Sequence, residues 1–220
     1  MGVASQVDST GVVADIGTDH AKIPIYLCLG GKIKYAYACD IGAGPLRVAK
    51  KNIEKYGLLD KISCVLSDGT KGIEKKDDID TIIIAGLGGE SIADIIESSR
   101  LLKKKDIKLI LQPMSAVDTL RAFLSQNGYR IANEKHLKEG KKIYVCMNVQ
   151  KGIQELEPIE IYAGARILDN RDEHLKEYLG ILKIKLEKVI KGLEKSSGDG
   201  KRLSEKTALL CEIEKILEVV

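Results

Sequence analysis

Val12-Val13-Ala14-Asp15-Ile16-Gly17-Thr18-Asp19-His20 is an apolar run that ends in Asp-x-Gly-x-Asp and leads into a helix-like segment, Ala21–Leu29. The run lacks polar–apolar alternation, as expected of a strand covered on both faces. Four further runs share that character: Tyr35–Cys39, Ile62–Leu66, Thr81–Ala85 and Ile107–Leu111. Helix-like segments Gly44–Tyr56, Ser91–Ser98 and Ala116–Gln126 fall between or after them. Strand and helix in strict turn predict right-handed crossovers and a parallel α/β sheet.

The pattern then changes. Tyr129–Leu137 and Lys142–Val149 read as two strands around Lys138–Lys141, an antiparallel hairpin closing the sheet. That ending is characteristic of class I (Rossmann-like) methyltransferases. From about Pro158 no strand pattern remains. Leu168, Leu175, Leu179, Leu182, Leu186, Val189 and Leu193 form a heptad-spaced stripe. Ser196-Ser197-Gly198-Asp199-Gly200 reads as a turn, and Leu210, Ile213, Leu217 and Val220 resume the stripe. The expectation is a domain over 1–152 and a C-terminal helical hairpin, coiled-coil-like, over 153–220, with a long helix folded back on a shorter one. The hairpin reads equally as a dimerisation or docking element and as a substrate-gripping arm.

Composition narrows the field. The chain has 220 residues, 44% apolar, enough for a sizeable core. No run approaches the ~18 apolar residues of a membrane span. The start lacks a basic region followed by an apolar one, so no signal peptide is expected. The five cysteines are scattered, with no Cys-x-x-Cys; most sit in apolar runs and read as buried thiols of a reducing compartment, and no metal site is expected. These features predict a cytoplasmic protein. The net charge is +3; residues 151–220 hold 13 basic and 14 acidic side chains, so the remaining 22 and 18 place +4 on the first 150. Trp is absent and Phe occurs once, which argues against an extended base-stacking platform.

The strand ends carry the chemistry. At the first, Gly17 exposes bare backbone to a ligand at the carboxyl edge, where open α/β sheets bind. No G-x-G-x-x-G follows, so no glycine cradle for a pyrophosphate is present. Instead Asp15 and Asp19 flank the glycine, and carboxylates suit a cation such as the sulfonium and ammonium of S-adenosylmethionine (SAM). As an alternative, Asp19 alone reads as an acidic helix cap. Asp40 ends the second strand, placed to accept from ribose hydroxyls. Ser67-Asp68-Gly69 follows the third, where an Asp can accept from an adenine amino group; Asp-Gly is also an ordinary turn. Ile41, Asp68, Gly69 and, at the fourth strand end, Ala85 and Gly86 complete a cofactor set with Asp15, Gly17 and Asp40. The glycine-rich Ile84-Ala85-Gly86-Leu87-Gly88-Gly89 has no Asn/Asp-Pro-Pro-aromatic motif, which fits a ring nitrogen acceptor better than an exocyclic amine.

Assembled, these residues resemble the bacterial tRNA adenine-N1 methyltransferases of the TrmK family. The likeness rests on Val13–Ala21, Gly44-Pro45-Leu46 with Ala49, Ser67-Asp68-Gly69, Ile84–Gly89, Leu111-Gln112-Pro113-Met114 and Lys142-Ile143-Tyr144. It implies SAM as methyl donor, tRNA as partner, N1 of adenine 22 as acceptor, and a helical C-terminal domain. In this frame Asp19 is the candidate to orient the base and meet its developing charge, with His20 second. His20 reads equally as a helix-start residue. The family normally begins with an amphipathic Leu-Ser-x-Arg-Leu helix, and Met1–Gly11 is polar and unlike it. A SAM- or RNA-binding module without catalysis is therefore the other class of function to be distinguished. Lys22, Lys71, Lys138, Lys141 and Lys142 are candidates for tRNA phosphates.

Overall fold

The computed structural model describes residues 2–8, 10–76, 78–165, 167, 172–195 and 200–220. Seven strands form one sheet: β1 (Val12–Ile16), β2 (Tyr35–Asp40), β3 (Ile62–Leu66), β4 (Ile79–Leu87), β5 (Lys108–Pro113), β6 (Tyr129–Glu139) and β7 (Lys142–Lys151). Their spatial order is β3-β2-β1-β4-β5-β7-β6. The first five are parallel, while β7 pairs antiparallel with both β5 and β6. This is the class I methyltransferase sheet.

The crossover helices are α1 (Lys22–Leu29), α2 (Ala43–Lys55), α3 (Gly89–Ser98), α4 (Arg100–Lys104) and α5 (Val117–Gln126). On one face, α1, α2 and the N-terminal turn Ala4–Gln6 cover Val13, Ala36, Ala38, Ile83 and Cys146. On the other lie α3, α5 and the C-terminal helices, over Ile82, Ile84, Leu109, Leu111 and Met147. The central strands are therefore apolar on both sides, which is why their sequences do not alternate. Where α3 meets the loop before α5, a Cβ on Gly89 would lie 2.2 Å from the Ala116 carbonyl oxygen. Only glycine permits that approach.

Two α-helices escape the sequence reading. The short α4 is capped by Ser99, whose hydroxyl accepts from the Leu102 N–H. The helix α6 (Pro158–Ala163) begins with a capping box between Glu157 and Glu160 and has proline in its first turn. The two long helices are α7 (Leu175–Lys195) and α8 (Gly200–Val219), of 21 and 20 residues. The expected long-and-short pair is thus corrected: Gly200–Lys206 lacks an apolar stripe, yet its Lys, Arg and Glu residues favour helix and extend α8 backward. Leu168 and the 196–199 part of the expected turn lie outside the described residues. Lys176 Nζ donates to the Val220 carbonyl (2.9 Å) and Lys183 pairs with Glu214 (2.7 Å), so the two helices run antiparallel.

The apolar stripe of α7 does not stand apart from the sheet. Leu175, Tyr178, Leu179, Leu182 and Leu186 join one continuous cluster with Ile84, Leu111 and Met147; Val189, farther along the stripe, is exposed. A buried ionic joint reinforces this docking. Arg121 on α5 makes a two-pronged pair with Glu134 on β6 (2.8 and 3.0 Å), and Nη1 donates to the Ile161 and Tyr162 carbonyls at the end of α6. Those carbonyls would otherwise be unsatisfied at a helix terminus. Beside it, the His136 N–H and Nδ1 both meet Asp172 Oδ2, and its ring lies 4.4 Å from that of Tyr178.

Candidate functional site

Parallel strands in the order β3-β2-β1-β4 place Asp68, Asp40, Asp15 and Ala85–Gly86 in that sequence along one edge. At ~4.8 Å per strand the row spans about 15 Å, the reach of an adenosine with an amino-acid tail.

Asp15 is the most constrained member. It is only 4% exposed, and the Thr18 hydroxyl donates to its Oδ2 at 2.5 Å. Burial pushes the carboxyl up to about 6; the Thr18 bond opposes the rise, and the nearby Asp19 and Asp40 charges add to it. Gly17 has φ +74°, and the Gly17 and Thr18 N–H groups both donate to the Cys39 carbonyl at 2.9 Å. The loop after β1 is thereby stitched to the end of β2. His20 and Ala21 are also left-handed, at φ +59° and +56°, and the Asn52 amide holds the His20 carbonyl at 3.1 Å. Two consecutive non-glycine residues there store about 1 kcal/mol or more each, a strain that clusters at functional turns.

Asp19 differs in character. Its side chain is 69% exposed and pairs with Lys22 (2.6 Å) and His20 (3.5 Å). The Lys22 hydrogen bond holds its carboxyl below the usual range, so Asp19 stays ionised to lower pH than Asp15. Asp40 Oδ1 accepts from the Gly42 N–H at 2.7 Å, and its carbonyl accepts from the Ser67 N–H at 2.9 Å. Ile41 and Leu66, at adjacent strand ends, are 73% and 63% exposed. The pair leaves apolar surface facing solvent at this edge. Asp68 pairs with Lys71 (2.5 Å), and Gly69, at φ +56°, accepts the Ser67 hydroxyl on its carbonyl (2.6 Å). Ala85 is half-buried, and a register shift in β4 follows it at Gly86, whose N–H donates to Gln112 Oε1 at 3.2 Å.

The structure therefore brings together Asp15, Gly17, Asp19, His20 and Asp40 around one loop, with Asp68–Gly69 on one flank and Ala85–Gly86 on the other. Sequence reading misses Thr18, Leu66 and Gln112. A hydroxyl three residues after Asp15 is the available sign of the first. Two cavities open beyond β4. One, about 770 Å³, lies among the N-terminal turn, Gln112, Met114, Leu137 and Tyr144. The other, about 580 Å³, lies between Lys141, Lys142 and Tyr162 and the Lys185 side of α7. The five lysine candidates divide: Lys22, Lys71 and Lys138 are engaged by Asp19, Asp68 and Glu177, whereas Lys141 and Lys142 are exposed on the second cavity.

A family model described as a methyltransferase domain matches residues 1–147. The structure of M. capricolum TrmK with S-adenosyl-homocysteine, its natural cofactor product, superimposes with a TM-score of 0.81 at 30% identity. That match covers all of this chain and 96% of the other. The chain belongs to the TrmK family. A Streptococcus pneumoniae protein, Sp1610, solved in complex with S-adenosyl-L-methionine, matches with a TM-score of 0.85 at 31% identity, over 98% of this chain and 96% of that one. The Bacillus subtilis (strain 168) tRNA (adenine(22)-N(1))-methyltransferase is 38% identical over 150 residues. That stretch covers 68% of this chain and 63% of the B. subtilis protein, so the alignment spans less than two thirds of that relative. Among the described residues, this TrmK family member has no group of three metal-binding side chains and no helix long and apolar enough to cross a membrane.

Proposed function

We infer that this protein is a SAM-dependent methyltransferase that methylates N1 of adenine in tRNA, at position 22 as the family's named members do, and works in the cytoplasm. The observation that carries the reading is the acid-lined carboxyl edge with buried Asp15 at its centre and no phosphate loop. A carboxylate that burial makes reluctant to ionise gains most from a cationic ligand beside it. Asp15 and the bare backbone at Gly17 would receive the methionine part of SAM, Asp40 the ribose, and Asp68–Gly69 with the Ile41–Leu66 pair the adenine. Ala85 and Gly86 would floor the transfer site. When bound, SAM supplies an activated methyl group, so the chain's task is positioning and exclusion of water.

Asp19, ionised and exposed beside His20, is assigned to the target base. Asp19→Ala lowers the methylation rate while SAM affinity stays within about threefold, the mark of an interaction made in the transition state. Equal losses in single-turnover rate and calorimetric SAM affinity would instead make Asp19 a cofactor ligand. The reading as a whole is tested by incubating the protein with unmodified tRNA and labelled SAM, then analysing nucleosides by mass. One 1-methyladenosine per tRNA is expected; methyl transfer to another atom, or none, rejects it.

The RNA itself is assigned to the hairpin side. Lys141→Glu with Lys142→Glu raises KM for tRNA and flattens its dependence on salt, the slope of log KM against log salt concentration falling by about one for each phosphate that these lysines neutralise. SAM affinity is unaffected. An unchanged salt slope would remove these lysines from the RNA interface.

A further inference from the structure

We propose that Tyr144 is the platform on which the target adenine stacks, the base entering the 770 Å³ cavity past Met114. The inference rests on the tRNA-methylation reading and names a residue of that same site. Its first support is position. The antiparallel register Leu109↔Val149, Ile110↔Asn148, Leu111↔Met147 runs towards Met114 and Tyr144, which lie beyond its last pair and line the same cavity at the carboxyl end of β5. This is the sheet edge that also holds the Gly86 bulge. Gln112 joins the two places: its Oε1 accepts from the Gly86 N–H, and its side chain lines the cavity. Both ends of its amide are engaged, since Nε2 donates to the Pro113 carbonyl and to the Met114 sulfur. Gln112 thus fixes the wall and leaves the gripping of a base to its neighbours.

The second support is that Tyr144 has no structural employment matching its size. Val145, Met147 and Val149 belong to the core beneath α7, and strand alternation sends Tyr144 to the opposite face with Cys146. Yet Tyr144 belongs to neither core cluster, is half-buried, and among the described residues its hydroxyl makes no hydrogen bond. Met114, which shares the cavity, is 50% exposed.

The third is scarcity. The chain has no Trp, one Phe and eight Tyr. Tyr37, Tyr129 and Tyr178 are buried, and Phe123 and Tyr162 pack against the core. Tyr144 is the one Tyr, Phe or Trp among the described residues lining the 770 Å³ cavity, and it borders the second cavity as well. A base within folded RNA must leave its stack to be methylated on its pairing edge, and a π-face recovers part of that loss.

The experiment compares wild type, Tyr144→Phe and Tyr144→Leu in kcat/KM on tRNA, with SAM affinity by calorimetry. Emission from 2-aminopurine placed at the target position is read in the complex. Leucine keeps apolar bulk without the ring and guards against misfolding. Expected are a loss of about 10- to 100-fold for Leu, activity within about threefold for Phe, and brighter 2-aminopurine with Leu, whose side chain does not quench it. Leu retaining wild-type kcat/KM, Phe falling as far as Leu, or SAM affinity falling with activity would each overturn the proposal. Absence of 1-methyladenosine with wild type would instead reject the function on which it rests.

Discussion

Asp15→Asn makes the free protein more heat-stable at neutral pH and, at the same time, a poorer binder of SAM. An ordinary Asp titrates at 3.8, and burial lifts Asp15 to about 6. The folded state thus favours the protonated form, and Asp15 stabilises the fold fully below pH 3.8. That contribution is lost as pH rises through about 6. The difference corresponds to about 3 kcal/mol at neutral pH. Asparagine removes the buried charge and can still accept the Thr18 hydroxyl. For a chain of this size the gain corresponds to roughly 5–10 °C in melting temperature, shrinking towards zero near pH 4. Ligand binding runs in the opposite sense. A cationic ligand wants the carboxylate, so SAM affinity of the wild type climbs with pH through about 6. The variant loses about 10- to 100-fold through the missing charge-assisted contact and shows no such climb. Calorimetry of melting and of SAM binding at several pH values checks both. A variant no more stable than wild type at neutral pH, or one whose advantage persists in acid, would show that Asp15 is not held in this way.

Arg121→Met has the second large effect. Arg121 is fully buried and Glu134 is 3% exposed. Burial works against the Arg121 charge, and the Glu134 carboxylate more than restores it, so the guanidinium stays charged. Removing it leaves Glu134 without its partner and strips the donors from the Ile161 and Tyr162 carbonyls. Breaking a buried pair from one side costs about 3–5 kcal/mol. Exchanging both partners, as in Arg121→Met with Glu134→Leu, returns most of that loss, because the orphaned charge goes too. Denaturant unfolding of the two variants decides it; a single variant within about 1 kcal/mol of wild type would mean that water reaches the joint.

Asp15 and Arg121 also mark what is legible in the sequence and what is not. Val12–Ile16 shows its true bounds because a strand buried in a sheet has abrupt apolar limits; Ile62–Leu66 shows them too, although as the edge strand it is buried at Ile62 alone and the expected cover on both faces is not found. The acids at the strand ends are legible because a parallel sheet carries every such loop to one edge. The bounds of β4 are harder to see. The apolar run suggests Thr81–Ala85, whereas the strand runs Ile79–Leu87. Its start is obscured by Asp80, a charge that reads as loop but accepts the Val12 N–H (2.9 Å) at the foot of β1. Its end is obscured by the bulge at Gly86.

The joint between sheet and tail is not legible. Glu134 and His136 sit in a polar stretch of the expected strand, Asn133-Glu134-Lys135-His136, where nothing local signals burial. Their burial is decided by Arg121, Asp172 and Tyr178, which are distant in sequence and supply the missing charge and cover. The α7 stripe is legible as a stripe, but periodicity does not say what an apolar face packs against. The cavity beside Tyr144 is equally hidden, because a void is a property of several segments at once.

The position of β7 bears on how the chain is made. The last strand in sequence lies between β5 and β6, so β6 has no neighbour in the sheet until β7 arrives. During synthesis from the N-terminus, β5 keeps a bare edge while β6 emerges, and both present unpaired backbone to other nascent chains. Closure waits for Lys151 to leave the ribosome, and the C-terminal helices that complete the core cluster of Met147 emerge later still. The interval between those events is the stretch of translation in which a chaperone has most to protect.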